Sequence, residues 1–305
     1  MEVINRISFF IDYSYSKQIE SFFNEFGITV ISPEKGSRTT EIRYLVPITF
    51  KPTEDMTDKI RIIYNKLINF FPITGIGEAI FFNCDNDDYN KAPFFAVNST
   101  GNSASANLFD TKTPMIKETF CNACGLKLQS LESNLVIDTS KLRKKYMINV
   151  DSMFWVISEE MARLMSEWKI TGYQLKEVIH HGKAENYVPA YQLIINNNMP
   201  PLSQKSKSYH FVSEPEGKCD VCGIKGKVNY PYLYETSDIK TCTNDLYLLN
   251  ESVSNGSFVY QPLFISQRFR TLLIEQGVTR DIRSVYDSNY GSKDWYMTPV
   301  FLDHY

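Results

Sequence analysis

The chain lacks the short motifs that mark the commoner catalytic sites. Its 305 residues hold no Gly-x-Gly-x-x-Gly turn, no Walker-type glycine loop and no Gly-x-Ser-x-Gly elbow. That removes the dinucleotide, nucleoside-triphosphate and α/β-hydrolase signatures. Gly75-Ile-Gly77 stops short of the third glycine and opens no helix pattern. No run of about 18 apolar residues is present, so no transmembrane helix is expected. The opening MEVINRISFFID carries no basic stretch ahead of its apolar run, so no signal peptide is expected either. These absences predict a cytoplasmic chain with no membrane contact. An excess of one charge is also missing. The formal net charge is −3, which leaves no whole-chain electrostatic footprint for nucleic acid.

What is present is globular. Apolar residues make up 43% and charged residues 22%, a balance that excludes a disordered or fibrous chain. The length predicts about two domains. Residues 3–11 are rich in β-branched and aromatic side chains and read as a strand. Ser16 caps a helix with Ile19, Phe22, Phe23 and Phe26 on one face, ended by Gly27. Residues 28–31 and 41–50 read as strands, the second at an edge or bulged because it holds Pro47. Thr53 caps a second helix, with Glu54 and Asp55 in its first turn and Met56, Ile60, Ile63, Leu67 and Phe71 on its face. Residues 79–83 and 94–97 close the series. The order β-α-β-β-α-β predicts a ferredoxin-like split βαβ domain over residues 1–110, a fold that settles no activity. Asp85, Asp87 and Asp88 lack the glycine and distal glutamate of a calcium loop and read as a solvated loop. Residues 98–107 are small and polar and read as a linker.

The rest, residues 111–305, reads as an internally duplicated α+β region with copies at about 115–202 and 209–303. Two stretches align without gaps at an offset of 108, residues 155–171 and residues 263–279. Ser158 matches Ser266, Leu164 matches Leu272, Glu167 matches Glu275 and Thr171 matches Thr279. Each reads as a strand running into a serine-capped amphipathic helix. The apolar positions Met161, Leu164, Met165 and Trp168 correspond to Phe269, Leu272, Leu273 and Gln276.

Each copy also carries one Cys-x-x-Cys-Gly turn upstream, Cys121-Asn-Ala-Cys124-Gly125 and Cys219-Asp-Val-Cys222-Gly223. Such a turn brings two thiolates onto one ion, and the glycine permits the positive φ that lets backbone N–H groups point at sulfur. One turn supplies two ligands, whereas a structural zinc wants four. Together Cys121, Cys124, Cys219 and Cys222 make a closed set with no open position, so the site predicted is one structural zinc that joins the copies. The spacing departs from a compact ribbon, because residues 125–218 lie between the pairs. The alternatives are a redox pair, which needs a helix N-terminus that neither motif precedes, or inert buried thiols. Cys84 and Cys242 have no partners and read as core residues.

Four histidines are present. His180-His181 follows a strand-like run and reads as a solvated turn, since neighbours on a strand face opposite ways. His210 could replace a cysteine ligand if the shared site failed. The Glu159-Glu160 pair sits in a helix first turn, which the dipole already accounts for. Lys141, Arg143, Lys144 and Lys145 form one basic run. Lys205, Lys207, Lys218, Lys225 and Lys227 form another with Tyr209 and Tyr230 close by, interrupted by Glu214, Glu216 and Asp220. A zinc module with lysines and tyrosines could contact nucleic acid, and this is the alternative function.

The paired Cys-x-x-Cys-Gly turns, the Val156-Ile-Ser158 and Phe264-Ile-Ser266 helix starts, Asp245-Leu-Tyr-Leu-Leu249 and Met297-Thr-Pro-Val300 together resemble the bacterial double-CxxCG motif proteins. The resemblance covers about residues 115–303. Some members of that family look like immunity proteins encoded beside polymorphic toxins. The resemblance implies a zinc-stabilised binding protein rather than an enzyme, with a cognate toxin as partner. A Cys-x-x-Cys thiol oxidoreductase is the weaker alternative.

Overall fold

The computed structural model describes residues 1–30, 41–51, 56–100, 105–106, 113–142, 147–150, 153–212, 218–254, 257–283 and 295–303. Thr53, Glu54, Asp55, Arg143, Lys144, Lys145, Glu214, Glu216 and His304, which figure in the sequence reading or complete its count of histidines, lie outside them. The chain is a mixed α+β protein whose strands are mostly antiparallel.

It opens with β1 (Glu2–Asp12), followed by α1 (Ser16–Asn24), β2 (Glu41–Phe50), α2 (Thr57–Phe70) and β3 (Thr74–Asn83). The three strands form an antiparallel sheet in the order β2-β1-β3. Alternation on β1 buries Ile7, Phe9 and Ile11, and the helices bury Ile19, Phe22 and Phe23 from α1 with Ile60, Ile63 and Leu67 from α2 in the same core. Pro47 sits on the edge strand β2, where its missing N–H costs no ladder bond.

Three expectations for this stretch are corrected. Ser16 does not cap α1: it is the first helical residue, after Tyr15, and its hydroxyl donates to the Tyr13 carbonyl. Residues 28–30 form no strand. Gly27 takes φ +68°, and the N–H of Ile28 bonds the Phe23 carbonyl, so the segment is used to close α1. Asp85, Asp87 and Asp88 are not a solvated loop either. Asp85 is the N-cap of α3 (Asn86–Lys91), and Asp85 and Asp88 exchange side-chain to backbone bonds as a capping box that leaves Asp88 buried.

β4 (Phe94–Thr100) leaves the first sheet. The predicted strand at 79–83 does lie beside β1, as part of β3, but no strand forms at 28–30, and β4 is hydrogen-bonded to strands from the far end of the chain. The expected linker at 98–107 is partly strand: 98–100 continue β4, and β5 (Ser105–Ala106) pairs in another sheet.

Next come β6 (Met115–Thr119), β7 (Lys127–Leu131), β8 (Met147–Val150), β9 (Phe154–Ser158), α4 (Glu159–Glu167), β10 (Gln174–Glu177) and β11 (Ala190–Ile194). β6 and β7 form a hairpin, and the others build a five-stranded sheet in the order β10-β11-β9-β8-β5. The chain continues through β12 (Lys207–His210), β13 (Lys227–Tyr230), β14 (Leu246–Leu248), β15 (Leu263–Ser266), α5 (Gln267–Glu275) and β16 (Trp295–Pro299). β12 and β13 form a second hairpin, and the last sheet has the order β14-β15-β4-β16.

The two helices with matching sequence start and stop alike. Ser158 accepts a bond from the N–H of Met161, and Ser266 accepts one from the N–H of Phe269. Lys169 at φ +53° and Gly277 at φ +65° then close them with the same backbone bonds, Ile170 to Met165 and Val278 to Leu273. One continuous core links the first sheet to both helices and runs from Ile7 and Phe9 through Phe95 and Met161 to Phe269 and Trp295. The rings of Trp155 and Trp295 lie 5.7 Å apart across it.

Candidate metal centre

Both cysteine turns are carried on hairpin ends. In the first, Thr119 pairs with Lys127, and the N–H groups of Phe120 and Cys121 both bond the Leu126 carbonyl. Gly125 takes φ +73° and donates to the Cys121 carbonyl at 2.9 Å. In the second, His210 pairs with Lys227, and Gly223 takes φ +66° and donates to the Cys219 carbonyl at 2.7 Å. A Cβ at Gly125 or Gly223 would meet nothing within 4 Å. Both glycines therefore serve the left-handed backbone of the turn and not a tight fit.

The hairpins bring the four sulfurs of Cys121, Cys124, Cys219 and Cys222 within 4.8 Å of one another. Cys121 and Cys219 are 3.9 Å apart, and Cys124 and Cys222 are 3.7 Å apart. A tetrahedron with metal–sulfur bonds of about 2.3 Å has edges of roughly 3.8 Å. All four cysteines are free thiols, and the spacing fits a metal ion shared between the hairpins. Leu126 and Val259 are buried around them, and Ile224 covers one side. The N–H groups of Cys222 and Val221 pull the Cys219 thiol down to about 7, whereas burial pushes Cys124 up to about 12. An all-thiolate tetrad with no other donor suits zinc or iron and leaves no place for a substrate.

A third element, unsignalled in the sequence, straps the hairpins together. The Lys127 N–H bonds the Ser257 carbonyl, and Ser254 uses its hydroxyl toward both the Gly226 N–H and the Ile224 carbonyl. Residues 253–254 and 257–260 thus touch both turns, and Val259 lies against the sulfurs. It carries no cysteine or histidine that would have pointed to it.

The remaining candidates lie elsewhere. His210 turns its Nε2 to the Gly223 carbonyl at 3.0 Å, so it buttresses the second turn from outside the tetrad; burial lowers its pKa. His180 is not in a solvated turn. It lies in a two-residue strand (Ile179–His180), with Nδ1 2.9 Å from the Thr139 hydroxyl and Nε2 3.1 Å from the Lys183 carbonyl. Since Nδ1 also accepts from the Thr139 N–H, the proton belongs on Nε2. Cys84 belongs to the main core and Cys242 flanks a second one, and burial pushes both thiols upward. Within the second lysine cluster, Lys225 is buried and Lys205 pairs with Asp303. Cys124-Gly125 leads into β7 and not into a helix, and residues 223–226 turn into β13, so neither pair has the helix N-terminus that an activated thiol uses.

No helix of the described residues is long and apolar enough to cross a membrane. Comparison with family models, curated proteins and solved structures finds no match to the chain.

Proposed function

We propose that the chain is a non-catalytic, zinc-stabilised binding protein, and that its role is to neutralise a cognate bacterial toxin by direct contact, as an immunity protein does. The observation that carries the reading is the closed four-thiolate tetrad between two hairpins. It uses the ion's whole coordination shell to hold two distant parts of one chain together, which is a structural use of metal. The immunity role rests on the resemblance to double-CxxCG proteins and on the lack of a catalytic constellation in the sequence. In the same reading, the two serine-capped segments with their cysteine turns descend from one duplicated unit. The matched caps, helix lengths and left-handed closing residues support that descent. The test is co-expression with the candidate toxin encoded beside it. Cells should survive with the wild-type protein and die when Cys222→Ser removes the metal and loosens the hairpins. Equal killing in the presence of well-folded wild-type protein contradicts the reading.

A further inference from the structure

We propose that a cavity beside β3 is the docking slot for an extended peptide segment of a protein partner, which joins the open edge of β3 through the main chain of Ile80. The inference rests on the binding-protein reading for the nature of its occupant and deepens it by naming the place and the chemistry.

β3 is the outer strand of its sheet. Phe82 reveals which of its residues face outward. Both its N–H and its carbonyl bond the hydroxyl of Tyr296, on β16, so neither is used toward β1. The register from Val3↔Phe82 to Ile7↔Glu78 has no irregularity. In an antiparallel pair, residues alternate between bonding the neighbour and facing away. Ile80 therefore faces the same way as Phe82, with its N–H and carbonyl both directed away from β1.

That edge borders a cavity of about 440 Å³, within the roughly 300–1,000 Å³ typical of ligand sites. Asn229 lines it from β13. The residue is 4% exposed, and its Nδ2 has no hydrogen-bond partner among the described residues. A buried amide without a partner is costly, so its donors call for an acceptor in the cavity. The main chain of β13 points the same way. The Phe211 N–H bonds the Gly226 carbonyl, and alternation from there turns Val228 toward β12 and Asn229 away from it. Trp155, Phe211 and Tyr260 supply apolar walls. The Glu78 carboxylate at the rim is already met by Asn5, the Tyr209 hydroxyl and the Val212 N–H, so the cavity is not a cation site.

One occupant meets all these demands. An extended peptide presents an N–H and a carbonyl on one side at every second residue, which matches Ile80 and supplies a carbonyl for Asn229. Its alternate side chains enter the aromatic walls. A purely apolar ligand would leave both polar positions unpaired.

The test uses the full-length, metal-loaded protein to select from a displayed library of random heptapeptides, followed by titration of the selected peptides with intrinsic tryptophan fluorescence as readout, Trp155 lining the cavity. Ile80→Pro removes the outward N–H, which an edge strand tolerates, and trims a side chain packed against the main core. Asn229→Leu removes the amide at similar volume, and metal content and circular dichroism verify the fold of each variant. Selected peptides should share an apolar alternation and bind each folded variant about tenfold or more weakly, the loss of one hydrogen bond in a buried site. Peptides that bind both variants as well as wild type overturn the slot. So does a protein that protects cells from its toxin yet selects no peptide, and in that case the immunity reading stands without it.

Discussion

The two serine-capped segments share their cap, helix length and left-handed closing residue, yet they sit in differently built sheets. Around α4, β9 lies between β8 and β11, both from the same stretch of the chain. Around α5, β15 has β14 on one side, but the other side is taken by β4 from the N-terminal stretch, and β16 is pushed one place outward. Local structure is therefore set by residues within a turn of one another, while sheet order is set by what the whole chain makes available. The second segment depends on the N-terminal region for a central strand, and the first does not.

The largest expected effect follows from that dependence. A fragment of residues 111–305 loses β4, whose Phe95 and Ala96 are fully buried. The amides of β15 should then exchange with solvent far faster than those of β9, as measured by hydrogen exchange. Equal protection of both strands would show that the borrowed strand is dispensable.

Asp245 distinguishes the segments next. Its buried carboxylate accepts from the Thr171 N–H at 2.8 Å at the end of the first segment, and from the Ser266 hydroxyl at 2.5 Å and Arg268 at the start of the second. Burial alone would raise its pKa, but these donors reverse that and hold it below the ordinary aspartate value. A lowered folded-state pKa means that the contribution is present above the unfolded value, near 3.9, and is lost as pH falls through the folded one. Asp245→Asn should cost about 2 kcal/mol at neutral pH in urea unfolding, and the gap to wild type should close in acid.

The caps give a smaller contrast. Ser158→Ala should cost about 1 kcal/mol. Ser266→Ala should cost more, because the Ser266 hydroxyl also donates to Asp245. Equal losses would mean that the Asp245 contact adds nothing. The smallest effect has opposite signs at matched positions. Lys169 holds a left-handed backbone with a side chain, and Gly277 holds it without one. Lys169→Gly should stabilise by roughly 1 kcal/mol, and Gly277→Ala should destabilise by a similar amount. Thermal melts of the two variants read both signs.

What could be read in the sequence divides along the same line. The helix faces of α1 and α2, both serine caps and the four-cysteine set follow from spacing within a few residues or from ligand count, and the folded chain places them together. The position of β4 does not follow, because a run such as Phe94-Phe-Ala-Val97 suits any sheet that needs a buried strand. The Thr139 partner of His180 lies 41 residues away, and Glu78 meets Tyr209 across 131 residues. The capping box of Asp85 and Asp88 was local and legible, but an acidic cluster after a strand also fits a loop. Ile28 fits either a strand or a helix cap in the sequence, because an apolar residue after a helix-closing glycine serves both.

The central claim is that one metal ion joins the two hairpins. It is tested most directly by native mass spectrometry of the full-length protein under reducing conditions, alongside the single variants Cys121→Ser, Cys124→Ser, Cys219→Ser and Cys222→Ser. The account predicts one zinc per chain in the wild type, with occupancy lost or severely weakened by a substitution in either hairpin. Two ions per chain, or a full complement retained after a hairpin loses a cysteine, would contradict it.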